Sequence, residues 1–174
     1  MKEYRESAIY AGSFDPITCG HLDLIRRAVK IFPRLIIAVA ENIDKVPCFT
    51  VDQRLEMIRE AVSVFPGVEV ESFSGLLIDY AAHKQVWVVI RGLRAISDFE
   101  YEFQMVLTNR KLSPKLETIF LMPGESHTYI SSRMVKEIHF LGGDASGFVP
   151  PGVLAAMRKH NRTALADRLK GENC

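Results

Sequence analysis

The densest chemistry in the chain lies in ten consecutive residues, Gly12-Ser13-Phe14-Asp15-Pro16-Ile17-Thr18-Cys19-Gly20-His21. They join an apolar run, Ala8-Ile9-Tyr10-Ala11, to a helix-forming segment, Leu22 to Val29. A strand that enters a helix through such a loop delivers free backbone N–H groups and a positive helix end to one point, which is a site for an anion, most readily a phosphate. The pattern is neither the P-loop, since no Gly-Lys-Ser/Thr follows, nor Gly-x-Gly-x-x-Gly. His21 falls near the third helical position, where the helix end disfavours its protonation. A neutral imidazole there donates one N–H to a phosphate oxygen. The plainer alternative is a tight turn formed by Asp15-Pro16 with a structural histidine; the complete ten-residue pattern favours the phosphate site.

Other candidates share this anion-binding character. Arg91-Gly92-Leu93-Arg94 follows an apolar run and places two guanidiniums around a glycine, which suits anion recognition better than a solvated strand end. Ile130-Ser131-Ser132-Arg133 is either an ordinary helix N-cap or a hydroxyl-bearing helix start for a triphosphate tail, with Arg133 and Lys136 in the first turns. Lys45, alone on a polar loop, reads as solvated, and Glu102 as the partner of a neighbouring charge or as a ligand. Asp98 and Glu100 read as caps. No Ser/His/Asp triad, paired catalytic acids or Cys/His metal set is evident in the sequence. Nucleotidyl and phosphoryl transfer can do without a protein nucleophile, relying on positioning and on neutralising charge on phosphorus. The inventory of Arg, Lys, His and helix ends fits that chemistry.

These residues need a frame, and strand and helix signals alternate along the chain. Arg34–Ala40 and Trp87–Ile90 are continuous apolar runs, as in strands covered on both faces. Val68–Phe73 and Leu116–Met122 complete five strands. Thr50-Val51-Asp52-Gln53 has the form of a capping box, with Leu55, Ile58, Val62 and Phe65 following at helical spacing until Pro66-Gly67. Gly75 to His83 reads as a short helix with Leu76, Leu77, Tyr80 and Ala81 inward. Ser97–Glu100 is expected to cap a long helix reaching about Arg110. Gly142-Gly143 breaks the next helix, and a final amphipathic segment follows Pro150-Pro151, from about Val153 to Leu169. This alternation predicts an α/β fold, a doubly wound, five-stranded parallel sheet with C-terminal helices. In such sheets ligands lie beyond the carboxyl ends of the strands, at the switch in strand order. The loops Gly12–His21, Glu41–Phe49, Ser74–Leu77, Arg91–Arg94 and Gly124–Arg133 all fall on that edge.

A chain of 174 residues is expected to form one domain. A net charge of +1 with 25% charged residues gives no global case for nucleic acid or a membrane surface. Three cysteines, Cys19, Cys48 and Cys174, lack metal-ligand spacing, consistent with a reduced, cytoplasmic compartment. No apolar run approaches the ~18 residues of a membrane helix, and Met1–Ser7 lacks a signal-peptide core.

The loop Gly12–His21 resembles the Thr-x-Gly-His signature of the nucleotidyltransferase superfamily, and Ile130-Ser131-Ser132-Arg133 its second signature. Ile90-Arg91-Gly92-Leu93-Arg94-Ala95-Ile96-Ser97-Asp98-Phe99-Glu100-Tyr101-Glu102 and Phe120-Leu121-Met122-Pro123 resemble the bacterial phosphopantetheine adenylyltransferase family, and the likeness runs from about Ala8 to Met157. It implies a Rossmann-like nucleotidyltransferase domain over 1–160, with 161–174 as a C-terminal helical extension or tail. It also implies reaction of ATP and 4′-phosphopantetheine to dephospho-coenzyme A and pyrophosphate, by direct in-line attack without a covalent intermediate. By this resemblance Ser13 and Lys45 hold the phosphopantetheine phosphate, Arg91 binds the same substrate and the backbone near Leu77 its pantetheine arm. His21 stabilises the transition state, acting with Lys45 and Arg91. Ser13, Phe14, His21, Gly92, Leu93, Arg94 and Glu102 contact ATP, as does the run His127, Thr128, Tyr129, Ile130, Ser131, Ser132 and Arg133. Magnesium enters on the ATP phosphates, with no metal ligand from the protein. A homohexamer and inhibition by coenzyme A are further family traits.

The chain departs from the family at Ser13, where many relatives carry Thr; at Cys19, where Asn is frequent; and at His127, where an aromatic is common. The alternatives are another nucleotidyltransferase, for instance one acting on nicotinamide mononucleotide or using CTP, and a non-catalytic nucleotide-binding regulator.

Overall fold

The structure, a computed structural model, describes residues 6–41 and 47–160. Five strands, β1 (Ser7–Gly12), β2 (Arg34–Ala40), β3 (Val68–Phe73), β4 (Val88–Gly92) and β5 (Glu117–Leu121), form one sheet in the order β3-β2-β1-β4-β5. Every pairing is parallel. The strand order reverses between β1 and β4, so the crevice expected of such a sheet opens above these two strand ends. The alternation of apolar runs and helices carried this topology because each parallel pair needs a crossover.

Alternate strand residues divide between two cores. Ala8, Tyr10, Leu35, Ile37, Val39, Val88 and Ile90 face one, and Ile9, Ala11, Ile36, Ala38 and Val89 the other. Ile9, Ile36 and Ile37 are wholly inaccessible, each side chain worth roughly 1.5–3 kcal/mol of burial. The first core is covered by α1 (Cys19–Ala28), α2 (Val51–Val62), α5 (Ser132–Phe140) and a helix over 151–160, here α6, which supplies Val153 and Met157. Pro151 opens α6, where the missing N–H costs nothing. The second core is covered by α3 (Leu77–Lys84), with Ala81 fully buried and Leu77 and Tyr80 packed against it.

Three local expectations change. Leu76 points outward, 56% exposed, because it is the extended N-cap residue of α3 rather than a member of its inner face. Helix α2 ends at Val62, ahead of Pro66-Gly67. Gly67 instead turns the chain into β3 with φ +76°, and a Cβ there would lie 2.3 Å from the Pro33 carbonyl oxygen. Helix α4 (Ile96–Leu112) starts one residue before the Ser97–Glu100 segment, with Ala95 as N-cap. Asp98 lies in its first turn and pairs with Arg94 at 3.3 Å. No described helix is long and apolar enough to cross a membrane.

Candidate active site

Helix α1 begins with a reciprocal cap. The His21 backbone N–H donates to Thr18 Oγ1 at 3.4 Å, and the Thr18 backbone N–H donates to His21 Nδ1 at 3.0 Å. With Nδ1 an acceptor, the proton of the neutral ring resides on Nε2. The ring packs beside Phe14, with centroids 5.1 Å apart, and Tyr10, at 6.3 Å. Burial first, and the Arg94 guanidinium second, lower its pKa from 6.5 to about 4. The neutral imidazole expected from the helix end is therefore secured chiefly by desolvation. Burial likewise pushes the Tyr10 phenol far up, so this wall of the site stays uncharged near neutrality.

Ser13 and Phe14 follow β1 directly, and Phe14 adopts φ 45° to turn its ring inward, 2% exposed. Beyond them Asp15 stitches two loops together. Its carboxylate accepts the Cys48 and Phe49 backbone N–H groups at 3.0 and 2.9 Å and pairs with Lys136 of α5 at 2.5 Å. This corrects the reading of Lys136 as a ligand for a triphosphate tail: its ammonium neutralises a nearly buried carboxylate. Burial raises both the Cys19 and Cys48 thiols, the latter to about 11, so neither is a thiolate nucleophile.

From β4, Arg91 donates through Nε and Nη2 to the two Glu102 oxygens at 2.7 and 2.6 Å, and through Nη1 to the Ala11 carbonyl at 2.7 Å. The fork pins α4 to the ends of β1 and β4. Gly92 lets α1 approach closely: a Cβ there would fall 2.5 Å from Leu24 Cδ1 and displace that side chain. Arg94 Nη1 donates to the Ile130 carbonyl at 3.2 Å, joining the β4 loop to the start of α5. Ser131 Oγ accepts the Met134 N–H at 3.1 Å, and Ser132 Oγ donates to the Pro16 carbonyl at 2.7 Å. Both hydroxyls are thus structural in this state, and what α5 turns to the cleft is its N-terminal end. Asp23 of α1 braces the preceding loop by accepting the Gly124 N–H at 2.9 Å.

These pieces enclose a cleft of about 480 Å³ at the β1–β4 switch. It gathers Ser13, Phe14, His21, Arg91, Gly92, Arg94, Glu102, Ile130, Ser131, Ser132 and Arg133, together with Tyr10, Asp98 and Tyr101, which sequence reasoning had not placed there. The volume is that of a small-molecule site. Tyr10, Phe14 and the neutral His21 line it beside Arg91, Arg94 and Arg133, the first two of which pair with Glu102 and Asp98. Cationic donors held beside a buried neutral ring suit the stabilisation of charge on a phosphate.

Comparison with known proteins bears on what uses this cleft. Residues 9–138 match the family model described as cytidylyltransferase-like. The phosphopantetheine adenylyltransferase of Anaeromyxobacter dehalogenans is 52% identical over 153 residues, 88% of this chain and 93% of the relative. That of Methylococcus capsulatus is 54% identical over 88% of this chain and 94% of the relative. The chain belongs to the phosphopantetheine adenylyltransferase family. In fold, it superposes with a TM-score of 0.68 on a bifunctional NMN adenylyltransferase/ADP-ribose pyrophosphatase of Francisella tularensis, at 16% identity, covering 97% of this chain and 53% of the other.

Against the residues expected of this family, the cleft brings most of the nucleotide set together and leaves some aside. Leu93, His127, Thr128 and Tyr129 do not line it. Tyr129 is 60% exposed and packs edge-on against Phe148, and the His127 ring contacts Ser126 Oγ at 3.0 Å. Leu77 begins α3 and packs on the second core. Lys45 lies outside the described residues. Sequence reasoning missed Arg54, Tyr10 and the bracing roles of Asp15 and Asp23. Asp15 and Arg54 were legible only as a turn residue and a helix position, because their partners are 14 to 121 residues away.

Proposed function

We propose that this chain transfers the adenylyl group of ATP to the phosphate of 4′-phosphopantetheine, releasing pyrophosphate and dephospho-coenzyme A. An oxygen of the acceptor phosphate attacks Pα in line, the Pα–O bond to the β-phosphate breaks, and its electron pair leaves with pyrophosphate. No covalent enzyme intermediate forms. The observation that carries this reading is the placement of a buried, neutral His21 with its free N–H on Nε2, at the strand-order switch of a chain in this family. In this reading Ser13 and Lys45 hold the acceptor phosphate, and Arg91 and Leu77 lie toward the rest of that substrate. His21 donates to the oxygens that gain charge on Pα. Arg94, Gly92, Leu93, Glu102 and the run 127–133 serve the nucleotide, whose β,γ-phosphates meet the N-terminus of α5.

Magnesium fits as an ion carried on the triphosphate. The carboxylates lining the cleft, Asp98 and Glu102, are engaged by Arg94 and Arg91. Among the described residues no cluster of three or more His, Cys, Asp or Glu is disposed to hold a metal. Bound there, the ion neutralises charge on the leaving pyrophosphate. We extend the proposal to a cytoplasmic homohexamer that coenzyme A inhibits; α4 supports assembly through its exposed Phe99, Phe103 and Leu107.

The test is pyrophosphate release with ATP, magnesium and 4′-phosphopantetheine. Turnover with that acceptor is expected, and none with pantetheine lacking the phosphate. Preference for nicotinamide mononucleotide, or for CTP over ATP, would replace this reading with the neighbouring one. ATP binding without turnover on any acceptor would favour a regulator.

A further inference from the structure

Arg54 stands apart from the cleft inventory, yet it is 3% exposed, a costly position for a guanidinium. It lies on the first turn of α2, and one nitrogen, Nη1, donates to two carbonyls, Ser13 at 2.7 Å and Ala40 at 3.3 Å. Its Nε is buried with no hydrogen-bond partner. The two carbonyls occupy matching places. The β1–β2 ladder ends at the rung Gly12–Val39, and Ser13 and Ala40 are the next residues on each strand. Arg54 therefore occupies the position of the next rung, where the strands part and their loops begin. One loop carries Ser13; the other, after Glu41, carries Lys45. The far side of the same pair of loops is tied by Asp15, which accepts the Cys48 and Phe49 N–H groups.

An apolar side chain would fill this volume without the desolvation cost or the orphaned Nε. What it could not do is hold two carbonyl oxygens at a fixed separation. We infer that Arg54 is a positioning residue that fixes Ser13, at the end of β1, against the end of β2, and so acts on the acceptor phosphate that Ser13 holds rather than on ATP. This rests on the proposed role of Ser13. The nucleotide side, built from His21, Arg94 and the start of α5, has no contact with Arg54 among the hydrogen bonds of the described residues.

The test is steady-state kinetics of wild type, Arg54→Met, Arg54→Lys and Ser13→Ala, varying each substrate in turn. Misplacement of about 1 Å costs on the order of 10²-fold. The Met variant is expected to raise KM for 4′-phosphopantetheine at least ~10-fold while KM for ATP stays within ~3-fold. The Lys variant, reaching a single carbonyl, is expected to fall between Met and wild type. A merely structural role would lower the melting temperature and the active fraction and leave both KM values alone. If the Met variant does not fold, the Lys variant alone decides. Wild-type acceptor KM in the folded variants, or parallel rises for both substrates, overturns the inference. Ser13→Ala reads the underlying assignment separately. An unchanged acceptor KM in it withdraws Ser13 from the acceptor phosphate. A raised one beside wild-type behaviour in the Arg54 variants overturns the positioning role only.

Discussion

His21 is constrained by two independent effects, a hydrogen bond that selects its tautomer and a burial that selects its charge. The Thr18 N–H occupies Nδ1 at 3.0 Å, and desolvation with Arg94 holds the pKa at about 4. Two consequences follow with definite sign. The ring stays neutral through the neutral pH range, so kcat should show no His21 inflection between about pH 5.5 and 8.5. His21→Ala should lower kcat by about 10²-fold, roughly 3 kcal/mol of transition-state stabilisation, while changing substrate affinity little. The second consequence concerns stability. Between about 4 and 6.5 the unfolded chain binds a proton at this site that the folded chain does not. Stability is therefore undiminished above that window and falls as pH drops through it, by on the order of 3 kcal/mol across the whole interval. Replacing His21 with Asn should flatten the dependence of the melting temperature on pH between 6.5 and 4. A wild-type slope in that variant would mean the histidine titrates normally in the folded state.

At the scale of elements, what positions the chemistry is mainly how helices start. α1, α2 and α5 each carry a side-chain cap, from Thr18, Thr50 and Ser131. The Thr50–Gln53 box was legible because Gln at the third helical position is the usual partner. The Thr18–His21 box uses imidazole in place of a carboxylate or amide, so its residue types advertised only a phosphate loop. Thr18→Val keeps the side-chain volume and removes the hydroxyl that accepts the His21 N–H. It should cost ~1 kcal/mol of stability, lowering the melting temperature by roughly 2–4 °C. It should also lower kcat by freeing the turn that carries the imidazole, whereas Thr18→Ser should restore both. Calorimetry with kinetics separates these effects; a destabilised Val variant with full kcat would show that the cap holds the helix and not the ring. The strands were legible for a simpler reason. β2 and β4 are covered on both faces, so their apolar runs are unbroken, and Leu76 was misplaced because one exposed apolar residue at a helix start resembles the first residue of an inner face.

The whole molecule is a sheet whose order change concentrates five loops at one edge, and that much followed from alternation in the sequence. The ties that give the edge its shape did not. Asp15–Lys136, Arg91–Glu102, Asp23–Gly124 and Ser132–Pro16 join segments 11 to 121 residues apart, and pairings at such separations leave no local periodicity to read. Helix α4 was legible as a long helix, but the chain by itself does not account for the face it exposes. None of the fifteen residues of α4 whose burial is described is buried, and Phe99, Phe103 and Leu107, spaced by four, form an apolar stripe 44 to 49% exposed. The Phe99 and Phe103 rings already stack, with centroids 5.5 Å apart. A stripe of this kind on a long helix asks for a second surface. About 100° around the same helix from the centre of this stripe, Glu102 pairs with Arg91 in the cleft. Assembly through α4 would therefore steady one wall of the active site. Sedimentation should give a species of about six times the 19.6 kDa chain. A Phe103→Glu, Leu107→Glu double variant, which places two charges on the stripe, should dissociate it to smaller species and lower kcat, with the sheet retained by circular dichroism. An intact hexamer in that variant would place the interface elsewhere. Dissociation with undiminished kcat would show that the Arg91–Glu102 pair holds α4 against the sheet without help from a neighbouring copy.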